Sequence, residues 1–324
     1  MANEVKTLAD AVRYFSDEQV CIDTVAGLKW TNGPECPKCG SKANRQHWLK
    51  SQKRWQCRDC GKQFSVKVGT IFEDSAIKLD KWLTAMWLLA NCKNGISSYE
   101  LARDIGVTQK SAWFMLHRLR EAMRDERKHK FGFGGPVESD EAFIGPNPAK
   151  MNKGQRRKYA IDRNKSEMIA KTAVHGILDR ELRQVRAKVI PYVKRSILQK
   201  AILDNVTPFA KVYTDEAVAY DGLSRNYVHE VINHSQEYVR GQVHTQGIEN
   251  FWALLKRTLR GTYVAVEPFH LEQYLSEQVF RYNNRATADN PLTDNDRFSL
   301  AVSQIQGRRL TYAELTGKVG DPSF

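Results

Sequence analysis

The sequence predicts an α/β protein, a mixed sheet flanked by helices, preceded by a small metal-clipped β module and a helical domain. Three observations carry this. Two C-x-x-C pairs, Cys36/Cys39 and Cys57/Cys60, stand close together. Apolar residues at helical spacing then dominate 76–127. Beyond the Gly/Pro-rich run 131–136, strand-like segments come first and helices follow, the pattern of a mixed layer.

A chain of 324 residues has room for two or three domains. With 41% hydrophobic and 27% charged residues it reads as globular, and no run approaches the ~18 apolar residues that span a bilayer. The first residues carry no secretion signal, so the expected location is cytoplasmic. Net charge is +13, and both parts are basic: 23 Lys/Arg against 15 Asp/Glu in 1–135, and 27 against 22 beyond. Base spread over the whole chain favours a polyanionic partner.

Residues 1–30 form a short helical lead-in. In 31–75 the two cysteine pairs are separated by 17 residues, each followed by Gly, Cys39-Gly40 and Cys60-Gly61. Such knuckles present two thiolates each to one ion, and strand-like alternation lies between them; this is a zinc ribbon with Cys36, Cys39, Cys57 and Cys60 as ligands. Four thiolates leave no open position, so the Zn²⁺ is structural. From Cys36 to Lys62 eight Lys/Arg face one acid, with Trp48 and Trp55 among them. That is either a DNA-contacting surface or a solvated module whose tryptophans are its core.

Residues 76–130 read as three helices. Ser97-Ser98-Tyr99-Glu100 is a capping box, Gly106-Val107 a tight turn, and Thr108 the cap of a third helix. This is helix-turn-helix spacing, shared with any helical hairpin; it leaves Lys110, Trp113 and Arg120 as exposed DNA-contact candidates. The run 131–136 reads as the linker. Then come strands at 137–144, 172–178, 184–190, 210–214 and 227–232, with helices at 196–205, 246–260 and 268–285. The segment 146–171 reads as a basic loop, with Arg156, Arg157 and Lys158 as further contact candidates. The domain after the linker is expected over 137–286, with 287–324 as a tail.

Three carboxylates stand out: Asp140 in a strand, Asp215 at a strand's carboxyl end and Glu249 on a helix. Acids so distributed can hold two divalent ions, one carboxylate bridging. Alternation puts Glu138, Asp140 and Ala142 on one face and Glu141 on the other. Glu249 borders the apolar stripe Ile248, Phe251, Leu255, Leu259, with Lys256 and Arg260 on its own side as phosphate-contact candidates. An ordinary amphipathic surface helix shows the same pattern. His244 is a candidate for supporting the reacting groups, or a loop residue with a local hydrogen bond.

Together the motifs resemble the DDE transposases of bacterial insertion sequences, in the ISXO-like group with an N-terminal zinc ribbon. The likeness rests on the cysteine pairs; on Val137-Glu138-Ser139-Asp140-Glu141 with Ile144-Gly145; on Tyr213-Thr214-Asp215-Glu216-Ala217 with Tyr220; on His244-Thr245, Ile248-Glu249, Phe251-Trp252 and Leu255-Lys256-Arg257 with Gly261-Thr262-Tyr263; and on Tyr282-Asn283-Asn284-Arg285, Arg297-Phe298 and Arg309-Leu310-Thr311-Tyr312. Gly145-Pro146-Asn147-Pro148 departs from the group's Gly-rich turn. The resemblance implies an RNase H-like core in which Asp140, Asp215 and Glu249 hold two Mg²⁺ (or Mn²⁺). It implies a DNA transposase that binds terminal inverted repeats, cuts to free a 3′-OH and joins that end to target DNA. It also implies a homodimer or higher oligomer, since two ends must meet, and a nucleoid-associated location. Two other readings remain: a structure-specific nuclease of the same fold, and a non-catalytic DNA-binding regulator.

Overall fold

The computed structural model describes residues 5–146, 151, 153–154, 171–232, 243–288 and 290–318. Its contacts divide the chain into two units, Met1–Arg124 with Asn284–Phe324, and Asp125–Asn283.

The first unit opens on two capped helices, α1 (Leu8–Tyr14) under a Thr7/Asp10 capping box and α2 (Glu18–Lys29) under Asp17. The cysteine segment forms three antiparallel strands, β1 (Gln46–Leu49), β2 (Arg54–Cys57) and β3 (Gln63–Phe64). Trp48 pairs with Trp55 across β1 and β2, and Trp55 also packs on Trp30 and Phe64. The interleaved tryptophans are therefore core of this module, which is too small to build one from its cysteines alone.

Helix α3 (Leu79–Asn91) is buried on nearly every side. Helix α4 (Ser98–Ile105) starts at the Ser97/Glu100 capping box and stops at Gly106, whose φ of 62° favours glycine. Thr108 then caps α5 (Gln109–Ala122). The sequence reading leaves 287–324 as a tail, but in the structure it belongs to this unit. The helix Asp294–Ser303 sets Phe298 against Phe15 and Trp87, and the short helix Tyr312–Leu315 brings Tyr312 onto Phe114 of α5.

The second unit is one mixed sheet of β4 (Val137–Ile144), β5 (Thr172–Asp179), β6 (Gln184–Ile190), β7 (Lys211–Asp215) and β8 (Val228–Ile232), in the order β6-β5-β4-β7-β8. β4, β5 and β6 pair antiparallel, whereas β7 runs parallel to β4 and to β8. Helix α6 (Arg195–Asn205) carries the chain from the β6 edge to β7 and packs Leu198 and Ile202 on one face. Helices α7 (Gln246–Thr258) and α8 (Leu271–Asn283) cover the other with Ile248, Trp252, Leu255, Leu275 and Val279. The run 131–136 is not simply a linker: Phe131 is fully buried in this unit. A Cβ on Gly132 would lie 2.6 Å from that of Ala210.

Candidate active site

The cysteine knuckles form as the spacing requires. Gly40 and Gly61 take φ of 72° and 70°, and their N–H groups return to the carbonyls of Cys36 and Cys57. All four sulfurs lie within 4.8 Å of one another. The Cys36–Cys60 and Cys39–Cys57 Sγ separations are 3.6 Å. That is far beyond the ~2.05 Å of a disulfide and near the ~3.8 Å between thiolates sharing a tetrahedral zinc with ~2.3 Å bonds. The N–H groups of Cys60 and Asp59 hold the Cys57 thiol below its ordinary range, favouring the ligating thiolate.

In the second unit, alternation along β4 sorts four polar residues. Ser139 and Glu141 face the α6 side. There Ser139 Oγ meets His175 Nε2 at 2.8 Å, and the Tyr220 hydroxyl donates to Glu141. Glu138 and Asp140 face α7. Glu138, buried, accepts from Arg180 Nε at 2.5 Å and from the Ile248 N–H at 2.8 Å. Asp140 accepts the indole N–H of Trp252 at 3.0 Å.

Parallel register sets Glu138 beside Tyr213, so that Asp140 and Asp215 lie two residues further along neighbouring strands. Asp215 Oδ1 accepts the Ala217 N–H at 3.1 Å, which turns the chain away from the strand end. Glu249 is exposed in the first turn of α7, and Oε1 accepts the Thr245 hydroxyl at 2.8 Å. Burial pushes the Asp140 carboxyl up to about 6; the Glu141 and Trp252 N–H donors oppose this, and the charges of Asp215 and Glu249 reinforce it. The charges of Asp215, from the neighbouring strand, and Glu249, from the helix, thus reach Asp140, but among the described residues only the four cysteines form a cluster tight enough to hold a metal as they stand.

Burial likewise raises Glu141 to about 7, against the Tyr220 hydrogen bond and with the charges of Asp140 and Asp215. Glu141 is therefore a fourth carboxylate that feels the charges of Asp140 and Asp215, from the opposite face of the sheet. Arg180 is also missed by sequence reasoning, which names Trp252 only within the Phe251-Trp252 motif and gives it no role. Trp252 carries a usable signal, because an indole three residues after Glu249 lies on a neighbouring part of the same helix.

His244 stands against Arg180 and Glu138: its Nδ1 accepts from Arg180 at 2.8 Å, and its pKa is lowered by burial and then by that guanidinium. Of the DNA-contact candidates, Lys110 is exposed and Trp113 half-buried at the start of α5. Arg120 is a correction: at 1% exposure it is not a surface residue. Periodicity within α5 does not show that the C-terminal half of the helix buries His117, Arg118 and Arg120 together with its apolar residues. Lys256 is half-buried on α7, and Arg260 is exposed but sits in a wider π turn, Leu259–Tyr263, where 3.6-residue spacing no longer applies. Arg156, Arg157 and Lys158 lie outside the described residues, as does most of the basic loop.

The ISXO2-like transposase domain matches residues 132–283, and the transposase zinc-ribbon domain matches residues 16–63. A Haemophilus influenzae "uncharacterized transposase-like protein" is 35% identical over 102 residues, 31% of this chain and 82% of that protein. An "uncharacterized protein in transposable element ISH50" of Halobacterium salinarum is 27% identical over 255 residues, 76% of this chain and 85% of that protein. Among solved structures, a chain of the simian T-cell lymphotropic virus intasome in complex with PP2A regulatory subunit B56 gamma aligns over 66% of this chain and 74% of that one. Its identity is 13% and its TM-score 0.30, a likeness too loose to carry argument.

Proposed function

Since the chain belongs to the ISXO2-like transposase family, we propose that it is a DDE transposase with an RNase H-like core, cutting the ends of an insertion sequence and joining them to target DNA. The observation that carries this is the register that sets Asp140 and Asp215 side by side on β4 and β7, with Glu249 of α7 near enough for its charge to raise the Asp140 carboxyl. Crowding of this kind is relieved by a divalent cation, and hard oxygen donors suit Mg²⁺ or Mn²⁺. Asp140, Asp215 and Glu249 would hold two such ions, which supply charge neutralisation at the phosphodiester and an activated oxygen nucleophile.

The chain's own groups do the positioning. Trp252 fixes one Asp140 oxygen, the Ala217 N–H fixes Asp215, and Thr245 orients Glu249. Lys256 and Arg257 in the last turn of α7 offer positive charge to a nucleic-acid backbone. In the other unit, the start of α5 with exposed Lys110 and half-buried Trp113 serves as a recognition helix for terminal inverted repeats, and the ribbon carries a structural zinc. Two such ends require at least a homodimer, acting at the nucleoid in the cytoplasm. Among the described residues no helix is long and apolar enough to cross a membrane.

The test is cleavage of an end-containing duplex. Metal-dependent nicking that disappears in Asp140→Asn, with end binding retained, is the expected result; binding without nicking at saturating Mg²⁺ and Mn²⁺ would return the protein to the regulators. Pre-cut ends offered with target DNA separate a transposase, which joins them, from a nuclease of the same fold, which does not.

A further inference from the structure

Each of the three acids follows closely on a residue tied to one guanidinium, directly or through Glu138. Glu138, two residues before Asp140, receives the Arg180 Nε–H at 2.5 Å. Tyr213, two residues before Asp215, presents its ring to the Arg180 guanidinium at 4.9 Å from the centroid. Ile248, immediately before Glu249, gives its N–H to the second Glu138 oxygen at 2.8 Å. Arg180 Nη2 also donates to the His244 carbonyl at 2.6 Å, next to the Thr245 whose hydroxyl orients Glu249.

The hub is itself held. Arg180 sits on the turn between β5 and β6; its N–H donates to the Pro136 carbonyl at 3.2 Å. The preceding Asp179 accepts from the Gly132 and Leu182 N–H groups at 2.8 and 2.9 Å. Glu138 fits so closely under α7 that a Cβ at Gly247 would lie 2.9 Å from its Oε2. The Glu138 side chain is 1% exposed and that of Arg180 16%. Buried ion pairs add little net stability compared with apolar packing, so this one is better explained by the geometry it imposes.

Resting on the two-metal reading above, we propose that Glu138 and Arg180 are positioning residues: their ion pair locks the start of α7 to β4 and β7 and so sets the spacing of Glu249 against Asp140 and Asp215. Neither touches the reacting atoms. A planar, five-donor guanidinium can join three elements at once, which an ammonium cannot.

The test uses the full chain as wild type, as Glu138→Gln/Arg180→Gln, which removes both buried charges together, and as Arg180→Lys. Readouts are amide hydrogen exchange over 244–250, titration of DNA-free protein with Tb³⁺ followed by tryptophan-sensitised luminescence, and cleavage kinetics. In the folded double variant the Ile248 and Glu249 amides are expected to exchange about tenfold faster or more. The Tb³⁺ midpoint should rise about tenfold, and kcat should fall about 100-fold while KM for the DNA end stays within about threefold. Arg180→Lys should move all three readouts in the same direction and by less.

Exchange and Tb³⁺ midpoints within about twofold of wild type in both variants overturn the proposal, whatever cleavage does. If the double variant does not fold, Arg180→Lys decides by the same two readouts. A wild type with protected amides and tight Tb³⁺ binding that cuts no DNA overturns the transposase reading instead and leaves the lock standing.

Discussion

Trp252 reaches Asp140 across a missing side chain. Its indole N–H donates to Asp140 Oδ2 at 3.0 Å, and its ring lies over Gly176, the residue paired with Asp140 on β5. A Cβ at 176 would stand 2.6 Å from Trp252 Cζ2. Gly176→Ala is therefore expected to displace the indole, at a cost of about 1–3 kcal/mol in denaturant unfolding. Trp252→Phe keeps the ring and loses the donor. Both should lower kcat about tenfold or more with little change in DNA binding. Unchanged kcat in Trp252→Phe would mean that the indole only fills space.

The Asp140 carboxylate is expected to weaken the metal-free protein. Its folded pKa of about 6 lies above the unfolded value of 3.8. The folded state thus binds the proton more tightly, and the ionised group costs stability as pH rises through about 6. At pH 7 in chelator, Asp140→Asn is expected to be more stable than wild type by about 1–3 kcal/mol while cutting no DNA. Chemical denaturation checks the sign, and added Mg²⁺ should stabilise the wild type alone.

How far the sequence reaches can be judged at this site. Periodicity places β4 as found and separates Asp140 from Glu141, yet it leaves Glu138 and Asp140 on one face with no way to choose between them. What separates them is Arg180, 42 residues past Glu138, and side-chain alternation says nothing about partners so remote. The same holds for Arg120, whose 1% exposure the 3.6-residue periodicity of its own helix does not predict. Local signals such as the Ser97/Glu100 capping box, Gly106 and the Thr108 cap were legible because their physics is contained within a few residues. Glu141 alternates away from Asp140, yet the charges of Asp140 and Asp215 still reach it and add to the upward push of burial, which face alternation does not reveal.

His175 gives a pH signature of opposite sign to Asp140. Burial lowers its pKa from 6.5 to about 4, and it lies across from Glu141 on β5. The unfolded chain binds this proton more tightly, so the contribution is full above pH ~6.5 and falls as pH drops toward ~4, by about 3 kcal/mol in all. Because raised carboxyls such as Glu141 titrate the other way, the comparison should be with His175→Gln. Between pH 6.5 and 4 the wild type is expected to lose stability relative to that variant with a slope of about one proton. Parallel curves would place the ring in contact with solvent.

Zinc removal should act first on the tryptophans of the ribbon. Trp55, in contact with Trp30 and Trp48, packs on the cluster that contains Cys36 and Cys57. A strong chelator is expected to remove a contribution on the order of 10 kcal/mol to folding of this module. Tryptophan emission should shift to the red and end binding should be lost, and Zn²⁺ should restore both where Mg²⁺ does not. Cys57→Ser should behave as the chelated protein.

Lys110 and Arg120 lie on one helix, and the structure separates what their loss should do. Lys110 is exposed, its ammonium 5.0 Å from the Tyr312 ring centroid, and Arg120 is buried. If α5 faces DNA, Lys110→Ala should weaken end binding several-fold and reduce the slope of log K against log salt by about 1, with melting unchanged. Arg120→Ala should lower stability by about 1–3 kcal/mol through lost packing and leave the salt slope as it was. A slope lowered by Arg120→Ala in folded protein would place that side chain on the DNA and overturn the burial found here. A slope indifferent to Lys110 would move recognition off this helix.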